Sequence, residues 1–138
     1  PSNDTCEVAF QVAAFCVRST DAGREVLLIT SSEDRWIFPK GWPMKGKTDA
    51  QAAAIEAWEE AGVKSESVTS EPVARLVTTK AKPDGETEPL ILDIYEIEVA
   101  TLKDRYPEAD KRKRRWVPLL TAANEVDDPA MSGFLAAL

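Results

Sequence analysis

Apolar and polar positions divide the chain into short, sharply bounded blocks. Residues 7–18 form a run rich in Val, Phe and Ala, which reads as a strand because β-branched and aromatic side chains fit a pleated surface. Asp21-Ala22-Gly23 supplies a turn, and 26–29 (Val-Leu-Leu-Ile) reads as a second strand, so the two make a hairpin. Residues 36–38 predict a short strand closed by Pro39, and 41–47, with Pro43 and two glycines, predict a loop. The period then changes to that of a helix over 49–61, with Thr48 or Asp49 as its N-cap and Gly62 as its stop. Strands follow at 73–79 and 90–99 around the Pro83-Asp84-Gly85 turn, with a short one at 115–117. Short helices are expected at 119–126 and 130–138, divided by Asp127-Asp128-Pro129. The pattern has no repeat, linker or low-complexity tract and predicts one mixed α/β domain over residues 1–138.

The helix at 49–61 carries the most informative polar pattern. At about 100° per residue, Glu56, Glu59 and Glu60 fall on one face, with Asp49 and Ala52 beside them. Ala50, Ala54, Ala57, Trp58 and Ala61 make the opposite, apolar face. Acids at i,i+3 and i,i+4 repel, and acids near a helix C-terminus oppose its dipole. A solvated acidic face would tolerate both costs. A divalent cation would remove them, and carboxylate oxygens suit Mg²⁺. Ala52 on that face is expected to leave room for an ion and a polyphosphate.

Composition narrows the chemistry. The chain of 138 residues has no histidine, which excludes Ser-His-Asp and Cys-His catalysis and histidine-ligated metals. Proton transfer must run on carboxylates, lysines, hydroxyls or a metal held by oxygen. A net charge of −7 argues against a general nucleic-acid binder. The basic residues are nevertheless concentrated in Lys111-Arg112-Lys113-Arg114-Arg115, which is either a solvated edge or a phosphate contact. Cys6 and Cys16 fall in one extended strand, too far apart to bridge, and without a CxxC they make no zinc site. The absence of an apolar run of membrane-spanning length, or of a secretory signal pattern, predicts a cytoplasmic protein without a membrane partner.

The loop before the helix supports two readings. Gly41-Trp42-Pro43-Met44-Lys45-Gly46-Lys47-Thr48 matches the phosphate-gripping pattern G-x-x-x-x-G-K-[ST] formally, and Leu90-Ile91-Leu92-Asp93 resembles the strand ending in a Mg²⁺-binding acid. That loop works by turning consecutive backbone N–H groups onto phosphates; Pro43 removes one of them and Trp42 restricts the turn.

The second reading accounts for more residues. From Gly41 to Val63 the sequence resembles the Nudix box, G-x5-E-x7-R-E-U-x-E-E-x-G-U with U a bulky aliphatic. Gly41, Glu56, Glu59, Glu60, Gly62 and Val63 stand in register, and Arg35-Trp36-Ile37-Phe38-Pro39-Lys40 resembles the strand leading into it. Lys47 stands in place of the box's first Glu, Ile55 in place of its Arg and Ala57 in place of its bulky aliphatic. The Glu and Arg are opposite in charge, so losing both removes a supporting ion pair and leaves the three metal-facing acids.

The resemblance implies an α/β/α sandwich with a mixed, partly antiparallel central sheet. It also implies Mg²⁺-dependent hydrolysis (Mn²⁺ as the substitute) of a phosphoanhydride in a small polyphosphate, by water attack at phosphorus. Glu56 and Glu60 then look like metal ligands with the Gly41 carbonyl, and Glu59 like a further ligand or the general base. Glu96, Glu98 and Glu108 are the candidates for an acid outside the box. Residues 26–32, Asp34 to Ile37 and Lys111 to Trp116 resemble the diphosphoinositol polyphosphate phosphohydrolases, which also cleave dinucleoside polyphosphates. Phe10-Gln11-Val12 stands where that subfamily carries basic residues, which keeps the dinucleoside substrate a close rival. Arg35, Lys40, Lys45, Lys47, Arg114 and Arg115 are the expected contacts to substrate phosphates. A P-loop protein, and a Nudix-fold binder without catalysis, are the alternatives.

Overall fold

The computed structural model describes residues 8–138; Cys6 and Glu7, expected in the first strand, lie outside the described residues. The elements are β1 (Ala9–Thr20), β2 (Gly23–Thr30), β3 (Trp36–Ile37), β4 (Lys40–Gly41), α1 (Asp49–Ala61), β5 (Val63–Val68), β6 (Ala74–Ala81), β7 (Thr87–Leu102), β8 (Arg114–Pro118), α2 (Leu119–Ala122) and α3 (Pro129–Ala136). The expected hairpin of β1 and β2 is present, with Val17 opposite Val26 and Thr20 opposite Gly23. β5 carries Lys64, Ser65, Glu66 and Ser67, four exposed polar residues in a row. It has no hydrophobic alternation and was invisible to pattern reading; pairing with β7 makes it a strand. α2 is a single turn ending at Ala122, shorter than the 119–126 expected.

The sheet is mixed. β1 runs parallel to β7, from Ala9 opposite Leu90 to Val17 opposite Glu98, while every other pairing is antiparallel. β1 and β2 pair only at their hairpin end. Beyond it they part: β4 takes up the freed edge of β1 at Val12 and Ala13, and β3 pairs with β2 at Ile29 and Thr30. The sheet is therefore splayed, and the opened end is where α1 and the loops meet.

Alternation along the strands divides the core into two layers. Ala13, Phe15, Val17, Val26, Leu28, Leu92 and Ile94 face Ala122, Met131 and Leu135 of the C-terminal helices. Ala14, Cys16, Leu27, Ile29 and Ile97 face Ala57 and Ala61 of α1. Phe15, Phe38 and Phe134 meet in the first layer, Phe134 edge-on to both others. This is the expected α/β/α arrangement around a mixed sheet. Cys16 is buried, which pushes its thiol far above the usual range and leaves it unreactive. Among the described residues no helix is long and apolar enough to cross a membrane.

Candidate active site

α1 is fixed at both ends. The Thr48 hydroxyl accepts from the Gln51 N–H while the Gln51 side chain accepts from the Thr48 N–H, a reciprocal capping box. At the other end Gly62 adopts a left-handed conformation (φ 71°) and its N–H donates to the Trp58 carbonyl. No other residue fits there, because a Cβ would collide with the Lys103 carbonyl, the Tyr106 ring and the Arg114 guanidinium.

The helix is rotated so that its acids point toward the sheet. Ala52 and Ala53 are fully buried against Val12 and Tyr95, and Glu60 is itself buried. Ala52 thus fills core space instead of leaving room for an ion, correcting the sequence expectation: the acidic side of the helix packs on the opened end of the sheet, where small residues are needed.

Glu60 is the centre of the arrangement. One carboxylate oxygen accepts from the Lys40 N–H at 3.2 Å, and the other lies 4.0 Å from the Arg112 guanidinium. Glu56 stands one turn earlier on the same face of α1. Burial pushes the Glu60 carboxyl up to about 8, against the lowering effect of Arg112 and the Lys40 N–H. Burial raises Glu56 as well, and the charge of Glu59 adds to it. The Glu56 carboxylate lies against Gly41, in the space a Cβ would fill. The Lys40 ammonium donates to the Gln11 side chain at 3.1 Å, and burial lowers its affinity for a proton.

Glu60, Lys40, Arg112 and Arg35 open onto one polar cavity of about 380 Å³ together with Thr78, Thr79 and Lys80 of β6 and Asp127 and Asp128. The turn between β2 and β3 delivers Arg35: the Ser31 N–H donates to the Arg35 carbonyl, and Asp34 closes the turn at φ 59°. Asp128 caps α3 and accepts from the Thr78 hydroxyl at 2.7 Å, tying that helix to the cavity's far wall.

The other expected contacts lie elsewhere. Lys45 and Lys47 are exposed on the loop before α1 and do not line the cavity. Arg114 donates to the Ala61 and Lys103 carbonyls at 2.7 and 2.8 Å and stacks on Tyr106, so it closes the C-terminus of α1. Arg115 pairs with Glu125 and lies over Trp36. Strand alternation sends these two arginines to opposite faces, as expected, and both are spent on protein partners. Arg112, just ahead of β8, occupies the position assigned to them. Its backbone lies in an irregular segment with no period to reveal its direction.

Of the three acids weighed outside the helix, Glu96 and Glu98 surround Arg24 beside the β1–β2 turn. Glu108 lies close enough to raise both Glu56 and Glu60, and it holds Arg112 at 2.8 Å. Among the described residues no three Cys, His, Asp or Glu side chains are already grouped as a metal nest. The donor chemistry nevertheless suits a hard divalent cation. Carboxylates that burial and acidic neighbours dispose to keep their protons, as at Glu56 and Glu60, gain most from an added positive charge, and Gly41 lets its backbone approach Glu56 with no side chain between.

A family model for the NUDIX domain matches residues 9–138. Solved structures share the fold. A C. elegans Ap4A hydrolase in a binary complex is 20% identical with a TM-score of 0.64, covering 94% of this chain and 93% of that one. The NUDIX domain of Shewanella oneidensis NrtR complexed with ADP ribose is 15% identical with a TM-score of 0.71, covering 95% and 87%. A MutT structure of Aliivibrio salmonicida or Vibrio cholerae is 17% identical with a TM-score of 0.62, covering 94% and 96%.

Proposed function

Because the chain belongs to the NUDIX domain family of pyrophosphohydrolases, we propose that it hydrolyses a phosphoanhydride bond of a small polyphosphate in the cavity between α1 and β6. The observation that carries this reading is the meeting of Glu60 with Lys40, Arg35, Lys80 and Arg112 around one cavity. Carboxylates for a cation and side-chain cations for phosphates are the two sets of groups such a reaction needs.

Glu56, Glu60 and the Gly41 carbonyl would hold Mg²⁺ or Mn²⁺, with Glu59 as a further ligand or the base. Bound there, the cation supplies Lewis-acid polarisation of phosphate oxygens and a lower pKa for an attacking water. The protein's own side chains do the rest. Lys40, Arg35 and Lys80 hold the phosphates, and a carboxylate takes the proton, since there is no histidine to do so. Glu108 is the acid outside the helix best situated to share this work. We propose a diphosphoinositol polyphosphate or a dinucleoside polyphosphate as substrate, on the resemblance of Arg35-Trp36-Ile37 and the 111–116 run.

Two features oppose the P-loop alternative. The sheet is mixed and splayed, with a two-residue strand before the loop, and Lys47 is exposed away from the cavity. Family membership overturns that reading.

The test is phosphate release with and without Mg²⁺ or Mn²⁺ across diphosphoinositol phosphates, dinucleoside polyphosphates, sugar nucleotides and nucleoside triphosphates. Cation-dependent cleavage within a pyrophosphate is the expected result. Binding without turnover of any of them would make the protein a NUDIX-fold binder instead.

A further inference from the structure

The segment 47–55 lacks the ion pair that the Nudix pattern provides, with Lys47 and Ile55 in place of Glu and Arg. Something else must orient the acids of α1, because buried carboxylates without a countercharge protonate or turn away. We infer that Arg112 replaces that pair, reaching in from the segment before β8 to orient Glu60 and Glu108 for the reaction proposed above, on which this inference rests.

Three contacts fix the guanidinium. Its Nη1 donates to the Thr30 carbonyl at 2.8 Å, its Nε to Glu108 at 2.8 Å, and its Nη2 lies 4.0 Å from Glu60. The Lys113 N–H donates to the Thr30 hydroxyl at 2.9 Å and its carbonyl accepts from the Thr30 N–H at 3.0 Å, so the backbone beside Arg112 is latched to the end of β2. A second tie completes the frame: the Glu108 N–H donates to the Glu59 carbonyl at 2.9 Å. The side chain is only about one-fifth exposed. An arginine aimed purely at substrate would keep its donors free; this one has two of its edges committed to protein oxygens before any substrate arrives. Its planar fork suits holding two carboxylates at a fixed spacing, which a lysine cannot do. Lys40 meets Glu60 through its backbone N–H while its ammonium is hydrogen-bonded to Gln11, so among the described residues Arg112 is the side-chain cation within ion-pair distance of Glu60.

The role is one of positioning, and it gives a signature that simple damage to the fold does not. Arg112→Gln should lower kcat about 10–100-fold with a smaller change in KM. Mn²⁺ titrated into the substrate-free protein and followed by electron paramagnetic resonance should bind that variant more weakly than wild type, since Glu60 loses the group that orients it; a mere neighbouring charge, once removed, would tighten binding instead. Arg112→Lys should recover little of the turnover. Restoring the Nudix pair by Lys47→Glu with Ile55→Arg should raise kcat in the Arg112→Gln background and leave the wild-type background nearly unchanged. A KM rise with kcat intact would make Arg112 a substrate contact and overturn the inference. So would Mn²⁺ binding as tight as wild type or tighter, or restoration that helps both backgrounds equally. If Arg112→Gln melts early, Arg112→Lys and the restored pair in the wild-type background carry the same comparison. If wild type itself shows no cation-dependent cleavage, the proposed function fails first, and the Mn²⁺ titrations still report whether Arg112 governs the acids.

Discussion

The carboxylate of Glu56 lies in the space where a side chain on Gly41 would begin. Gly41 is needed for that vacancy and not for an unusual backbone angle. Gly41→Ala should push Glu56 off the site, costing about 1–3 kcal/mol of stability as an overpacked contact. Turnover should fall by about 100-fold or more, because the displaced acid is a proposed ligand. Paired melting and steady-state measurements check this; a fully active Gly41→Ala variant would remove Glu56 from the ligand set.

A second expectation concerns pH in the presence of chelator. Glu60 holds its proton more tightly in the fold, up to about 8, than in the unfolded chain. Its contribution to stability is therefore complete below the ordinary carboxylate range and is lost as pH rises through about 8. Metal-free protein should melt at progressively lower temperature across that interval. Glu60→Gln, neutral throughout, should flatten the slope, and Mg²⁺ should flatten it in wild type. Identical slopes for Glu60→Gln and wild type would show that Glu60 is not the group responsible.

Arg114 and Arg115 should behave as structural residues. Arg114→Ala leaves the Ala61 and Lys103 carbonyls without their donor, for an expected loss of about 2 kcal/mol. Arg115→Ala, whose partner Glu125 is also partly exposed, should cost less. Neither should change KM in a way that grows with the phosphate count of the substrate. Chemical denaturation beside KM values for a short and a long polyphosphate distinguishes the cases.

Lys47 and Lys80 should separate in the opposite sense. Lys47→Ala, exposed and outside the cavity, should leave kcat/KM within about threefold of wild type. Lys80→Ala, in the cavity wall, should raise KM and weaken its dependence on salt. Abolition of turnover by Lys47→Ala with the fold intact would contradict the placement of the phosphates at β6.

The sequence disclosed whatever is local. Thr48 and Gly62 announce α1 through chemistry contained within the helix and its first neighbours, and the three glutamates share one turn-to-turn spacing. The rotation of that helix was not legible. Alanines line both of its sides, so composition could not say that Ala52 is core and that Glu60 is buried beside it. β5 has no apolar alternation and exists through β7. The same limit hid the working arginine. Five consecutive basic residues give no phase, and Arg112 is singled out by Thr30 and Glu108, which only the folded chain brings to it.

The parallel pairing of β1 with β7 also has a consequence for how the chain is made. Leu90 is the partner of Ala9, so β1 cannot complete this edge until β7, far along the chain, has emerged from the ribosome. Until then its hydrophobic stretch from Val12 to Val17 has the β2 hairpin, the short β4 contact and α1 to cover it, with the edge that β7 takes up left open. Pairings between such distant segments form slowly and leave strands open to wrong partners. A protein built this way is at its most vulnerable during synthesis, before the residues that shelter β1 exist.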